Sequence, residues 1–360
     1  MIRKTFICAL ILFFSFQLKA QTDSTITNEK KGATLSIAGS VDAYFQTGFS
    51  NNYTNHYTSF TNQHNTFSLG MACIKLEHKA EKVSAVADLG FGQRATDFAY
   101  TDSGLTAAIK QLYISYAPAK WIKFSIGTWA THVGYELVDP QLNRNYSMSY
   151  MFTNGPFTHT GMKAEITKGK HGLMLGIANA TDFRIPPSGF INKKFAIAQY
   201  TFAPSDKIKL YLNYVGGKNP DTSITHQFDV VGTLKISEKL NIAANATTNH
   251  TQFWDGAKNL TGLAWGGAAL YINYDAKAWL GFTLRGETFN DKNQLKPYHS
   301  SLKGGNIFAT TLSANVKKGG FTFIPEFRID NASEQVLFTN KSGGYTKSTS
   351  SFTMAAIYSF

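Results

Sequence analysis

Charged side chains recur at every second position in several stretches of this chain. "LGFTLRGETF" carries Arg285 and Glu287, and "FTFIPEFRID" carries Glu326, Arg328 and Asp330. Asp42 in "LSIAGSVDAYF" and Lys123, flanked by Ile122, Phe124 and Ile126, follow the same rule. Glu136, Asp139 and Arg144 lie instead in an irregular stretch, "VGYELVDPQLNRNYSMSYMFTNGPFT". Such groups could trade protons, hold a metal ion, or set the field inside a water-filled pore. Hydrolytic chemistry needs a nucleophile, a base and an orienting group brought to one place, and no spacing here selects such a trio. There is no nucleophile elbow and no phosphate-cradling glycine loop. The nine histidines are scattered, without metal-ligand spacing. No catalytic residue, metal ligand or cofactor site is expected, and the protein does not read as an enzyme.

The pore reading depends on where these charges point, and a period of two settles that in a strand. Leu280, Phe282 and Leu284 share one face, so Arg285 and Glu287 share the other. Phe321, Phe323, Pro325, Phe327 and Ile329 likewise leave Glu326, Arg328 and Asp330 opposite. Sixteen such segments are expected, near 34–49, 66–78, 83–95, 107–117, 121–132, 159–167, 172–180, 194–203, 207–216, 225–236, 240–250, 262–274, 278–289, 304–316, 320–330 and 349–360. The second loses its period near Cys73. Connections alternate between tight turns such as "APAK" and "KKGG" and long loops such as 50–65 and 133–158. That order predicts an all-β, antiparallel up-and-down transmembrane barrel of about sixteen strands, with short periplasmic turns and long extracellular loops. The last segment, "FTMAAIYSF", would pair with the first, because an open edge cannot stand in lipid. Phe352, Met354, Ala356, Tyr358 and Phe360 would face lipid, with Tyr358 and Phe360 in the inner aromatic girdle.

Composition agrees. The chain carries +12 at neutral pH, and its hydrophobic residues are dispersed. The opening "MIRKTFICALILFFSFQLKAQ" reads as a signal peptide over 1–20, followed by a polar lead-in over 21–33 and the barrel over 34–360. Without Arg3, Lys4 and Lys19 the charge falls from +12 to +9, and Cys73 is the cysteine left, so no internal disulfide framework is expected. No later segment approaches ~18 consecutive apolar residues, as a spanning helix requires. Lysines mark the tight turns, Lys79, Lys120, Lys170, Lys207, Lys277 and Lys318 among them. They are spread around a rim rather than clustered with aromatics, which argues against nucleic acid.

A barrel of 16–18 strands leaves an aqueous channel. Asp42, Lys123, Glu136, Asp139, Arg144, Arg285, Glu287, Glu326, Arg328 and Asp330 are therefore the expected pore-lining and constriction residues. The long connection 133–158 mixes those charges with Val138, Leu142, Met148, Met151 and Phe152. Folding inward would bury its apolar groups on the wall and keep its charges in water. The expected function is passive diffusion of small hydrophilic solutes across an outer membrane. A solute-selective channel for sugar or anion, and a non-conducting adhesin or structural barrel, are the alternatives.

"AGSVDAYFQTGF", "IGTWATHVGYELVDPQLNRNYSMSYMFTNGPFTHTGMKAEI", "RGETF" and "FIPEFRIDNAS" resemble the β-barrel porins of the OmpL-like type, common in Bacteroidota. The resemblance spans most of the chain after the leader, and the middle block is its specific part. It implies an outer-membrane location, lipid and small hydrophilic solutes as partners, and no cofactor. A terminal strand closing on Phe360 resembles the signal read by barrel-assembly machinery. A homo-oligomer is compatible with this architecture.

Overall fold

The computed structural model describes residues 33–50, 57–100, 102–190, 192–254 and 260–360. The signal peptide read at 1–20 and the lead-in read at 21–33 lie outside the described residues, Ala33 excepted. Alternating sequences give long strands: β1 (Ala33–Gly48), β2 (Thr66–Ala80), β3 (Val83–Phe91), β4 (Ile109–Ala119), β5 (Ile122–Ala130), β6 (Thr158–Lys168), β7 (His171–Asn179) and β8 (Lys194–Ser205). The second half continues with β9 (Ile208–Lys218), β10 (Ile224–Lys235), β11 (Leu240–Trp254), β12 (Leu260–Lys277), β13 (Leu280–Asp291), β14 (Gly305–Lys318) and β15 (Phe321–Ala332). A small hairpin, β16 (Phe338–Thr339) with β17 (Tyr345–Thr346), precedes the closing strand β18 (Ser348–Ser359). Sixteen strands form one closed antiparallel barrel, and the hairpin stands apart from it. No described helix is long and apolar enough to cross a membrane.

Closure is made by β18 against β1, with Ala43 opposite Ala356 and Phe45 opposite Met354. Gly39 and Phe360 exchange two backbone hydrogen bonds of 3.0 Å, so the ladder runs to the final residue. The apolar faces point outward: Leu69, Ile126, Phe228, Leu270, Phe308 and Leu312 are all exposed. Trp121, Trp279, Tyr358 and Phe360 are exposed beside the short turns, as an interfacial aromatic girdle requires.

Several boundaries differ from the alternation. β3 ends at Phe91, not 95, because Gly92 adopts φ +114° and turns the chain into a short helix, α1 (Gln93–Ala99), which carries Arg94. β11 and β12 extend further than expected, to Trp254 and from Leu260. The lost period in β2 is a bulge: the register with β1 shifts between Val41 and Ala43. The displaced Met71 N–H is taken up by the Asp42 carboxylate at 2.8 Å.

The apolar core is not in the wall but inside the ring, and it is built on the connection between β5 and β6. Tyr150 and Met151 pack with Trp265, Tyr271 and Phe289. Val133 packs with Trp129, Phe195 and Ile197. Val138, Met148, Phe152 and Phe157 pack with Phe60 and Phe98. Tyr146 packs with Tyr44, Ile324 and Ile357. Each cluster joins the loop to residues of other strands or connections.

Candidate functional site: the lumen and its inserted loop

A chain segment inside a barrel must find partners for every backbone N–H and C=O it takes out of water. The inserted loop contains a 3-10 turn (Pro140–Leu142) and a one-turn helix, α2 (Tyr150–Asn154), whose N-cap Ser149 accepts from Phe152 N at 3.1 Å. Neither reaches the segment between them, residues 144–148. The wall charges do.

Glu326 on β15 accepts from Tyr146 N at 2.8 Å and Ser147 N at 3.0 Å. Glu287 on β13 accepts from Tyr150 N at 2.8 Å. Glu136, on the loop itself, accepts from Ser149 N at 2.7 Å and pairs with Arg285 at 2.5 Å. Arg285 donates onward to Ser147 O at 2.8 Å and Thr311 Oγ1 at 3.0 Å. Arg328 donates to Met148 O at 2.7 Å and is held by Asp330 at 2.7 Å. Carboxylates on the wall take the loop's N–H groups and guanidinium groups take its carbonyls. These are charge-assisted bonds, roughly twice as strong as neutral ones.

The remaining expected residues distribute around this knot. Asp42 accepts from the Tyr146 hydroxyl at 2.5 Å. Asp139 pairs with Lys110 on β4 at 2.5 Å, and Lys110 also holds Asp88 on β3 at 3.0 Å. Arg144 bridges to Asp275 on β12 at 2.5 Å. Glu136, Arg285, Glu287, Glu326, Arg328 and Asp330 are thus brought together on residues 145–150, and Arg285 is 0% exposed. Lys123 is not part of the knot; it pairs with Glu165 at 2.8 Å and is 41% exposed.

Three contributors fall outside the expected pore-lining set. Arg94 on α1 donates to Val138 O at 3.1 Å and lies 4.7 Å over the rings of Phe60 and Tyr146. Lys110 closes the loop onto β3 and β4. Asp182, in the β7–β8 connection, accepts from Phe157 N at 2.8 Å and Thr158 N at 2.7 Å, and burial pushes its carboxyl up to about 6. No sequence spacing singles out any of the three, because each acts on a segment distant in the chain.

The wall formed by β8–β11 has a different chemistry. Gln199 donates to Asn213 at 2.8 Å, and Asn213 and Asn245 donate to the two oxygens of Asp229 at 2.8 and 2.6 Å. Gln227 donates to Thr247 at 3.1 Å and accepts from Asn249 at 3.3 Å. Asp229 is the charged group in this hydrogen-bonded set. It accepts from Gly134 N at 3.0 Å, which ties the loop to β10.

The sequence model of the family described as "Putative beta-barrel porin-2, OmpL-like" matches residues 34–360. A comparison with curated proteins finds no match. Solved structures share the fold at low identity. The outer membrane channel DcaP of Acinetobacter baumannii is 11% identical, with a TM-score of 0.63, covering 93% of this chain and all of that one. An anion-selective porin from Comamonas acidovorans is 8% identical, with a TM-score of 0.62 over 91% of this chain and all of that one. The trimer form of OmpT from Vibrio cholerae is 10% identical, with a TM-score of 0.60 over 92% of this chain and all of that one.

Proposed function

Because the chain belongs to the OmpL-like family of β-barrel porins, we propose that it passes small hydrophilic solutes, ions among them, across the outer membrane by diffusion around its inserted loop. The observation that carries this reading is the inward loop itself. A sixteen-stranded ring has room for water, and here the β5–β6 connection occupies part of that room through hydrogen bonds that can be broken. A purely structural barrel needs no such insertion. On this reading the chemistry is transport and no catalytic step is involved. Export through a cleaved signal peptide, delivery to the assembly machinery through Phe360 and assembly into oligomers complete the proposal. The trimer form of OmpT, a protein of the same fold, supports the last of these.

A second reading, a solute-selective channel, is favoured by how tightly the loop is held. Arg285, Glu287, Glu326, Arg328 and Asp330 are fully buried rather than bathed in water. They shape the passage by fixing the loop, and a narrow passage discriminates.

Conductance of the purified protein in a planar bilayer tests both. Large ohmic steps support general diffusion, and saturable block by one solute supports the selective channel. No current under either condition sinks both and leaves an adhesin or structural barrel. Replacing 138–152 with a short Gly/Ser linker should raise conductance and admit larger sugars in a liposome-swelling assay. An unchanged cutoff in a folded barrel would remove the loop from the passage.

A further inference from the structure

The lumen wall beside the tight turns has a charge of its own. Lys123, Lys163, Lys209, Lys235 and Lys317 lie there, in the parts of β5, β6, β9, β10 and β14 that lead into those turns. Each shares a face with a buried inward group of its own strand: Ser125, His159, Asn213, Asp229 and Asn315. None of the five lysines is fully buried. Lys123 at 2.8 Å and Lys163 at 3.8 Å share Glu165, and Lys235 holds Glu238 at 2.7 Å. Glu77 and Asp275 are held by other cations, Lys79 at 2.9 Å and Arg144 at 2.5 Å. Five inward lysines thus meet two carboxylates. Among the described residues, the turns and strand ends below add eight exposed lysines, Lys120, Lys170 and Lys207 among them, against Glu81 and Asp206. Lys209 stands opposite Thr233, which makes it a diagonal neighbour of Lys235 on one face. Like charges so placed repel, and water or anions before them relieve the repulsion.

We propose that this belt makes the channel prefer small anions, such as chloride, phosphate or a short carboxylate, over cations of the same size. The proposal rests on the porin reading and names its solute class. Sixteen strands about 4.8 Å apart and tilted by about 40° put the wall about 16 Å from the barrel axis. Lysine stems carry their ammonium groups inside that radius, and the screening length is about 10 Å at 0.1 M salt. The fields of lysines on opposite sides therefore overlap in the lumen below the loop. They draw anions in and hold cations back, as rings of Lys or Arg do in a pore. The knot above does not reverse this. Its carboxylates are buried against guanidinium groups and backbone N–H groups, away from any passing ion.

The test measures the reversal potential of the full chain in planar bilayers under a KCl gradient. Near 0.1 M, chloride should permeate about fivefold more readily than potassium; near 1 M, where the screening length is about 3 Å, the preference should fall below about twofold. Lys209→Gln/Lys235→Gln/Lys317→Gln should bring the preference near 0.1 M below about twofold as well, whereas Lys209→Arg/Lys235→Arg/Lys317→Arg should keep it. If the glutamine variant does not fold, Lys317→Gln alone should shift the reversal potential in the same direction. Equal permeation of the two ions, a preference for potassium, or a wild-type preference in the folded glutamine variant overturns the proposal. A wild-type protein that carries no current refutes the porin reading itself, which is a separate outcome from a porin that passes both ions alike.

Discussion

Arg285→Met should release the loop while leaving the barrel closed. The guanidinium is completely buried and makes three close contacts: Glu136 at 2.5 Å, Ser147 O at 2.8 Å and Thr311 at 3.0 Å. Methionine fills much of the space but donates nothing. Glu136 is left buried with the Ser149 N–H, and the Ser147 carbonyl loses its close donor. Removing one partner of a buried ion pair costs about 3–5 kcal/mol, mostly through the stranded charge. The sixteen-strand ladder does not depend on this group, so the cost falls on the docked loop. At 1.4 kcal/mol per tenfold, the docked-to-released ratio drops by a factor of roughly a hundred to a few thousand. Ser147→Cys in a Cys73→Ser background reports on it, because Ser147 is buried in the docked loop. Maleimide labelling should accelerate about a hundredfold when Arg285→Met is added, and mean conductance should rise. Adding Glu136→Gln to Arg285→Met should recover part of the protection, since no lone charge then remains. Lys123→Met is the control: its pair with Glu165 is half exposed and worth about 0–1 kcal/mol. Labelling of the Arg285→Met barrel within twofold of its parent, at equal yield of heat-modifiable protein, would show that the pair does not hold the loop.

Other substitutions test separate contacts. Tyr146→Phe removes the hydroxyl on Asp42 and should weaken loop docking by about 1–3 kcal/mol, read as faster labelling of the same Ser147→Cys reporter; an unchanged rate would make that contact dispensable. Phe360→Asp should lower the outer-membrane yield of heat-modifiable barrel, and Gly39→Val should do the same, because a side chain there meets the Phe360 ring and the Cys73 carbonyl; wild-type yield of both would break the link between the closing strand and assembly. Asp182 sits in the folded state at about 6, above its ordinary value. The folded barrel therefore binds this proton more readily than the unfolded chain between about pH 4 and 6, and stability rises as pH falls through that window. The span is on the order of 3 kcal/mol, and Asp182→Asn should flatten it in unfolding midpoints measured from pH 4 to 8; an unflattened profile would assign the dependence elsewhere.

The wall was legible because period two is a strong local signal that every strand repeats. Arg285, Glu287, Glu326, Arg328 and Asp330 point inward for the reason the sequence offers: their neighbours are Leu284, Phe327 and Ile329, which face lipid. The sixteen strands, the short and long connections and the closure of β18 on β1 follow from the same pattern. Local deviations were not legible. The helix carrying Arg94 follows from the backbone angle at Gly92, and the bulge in β2 from an Asp42 side chain on the neighbouring strand. The partners of the inward charges were out of reach as well. Arg285 and Ser147 are separated by 138 residues, Glu326 and Tyr146 by 180. Nothing periodic connects a strand to a loop that leaves another strand on the far side of the ring.

That separation explains why the same residues read as a pore lining in sequence and as fastenings in the structure. A lumen-facing charge has two ways to stay satisfied, hydration or a buried partner, and alternation cannot tell them apart. The loop decides between them, because an irregular backbone drawn into the ring brings its own unpaired N–H and C=O groups. Those groups need carboxylates and guanidinium groups more than solvent does, and residues 145–150 meet Glu287, Glu326, Arg285 and Arg328 together. Once engaged in holding the loop, Arg285, Glu287, Glu326 and Arg328 are buried rather than hydrated. The buried charges and the inserted loop then have one physical origin: the loop docks where ionic bonds can replace the water it has lost.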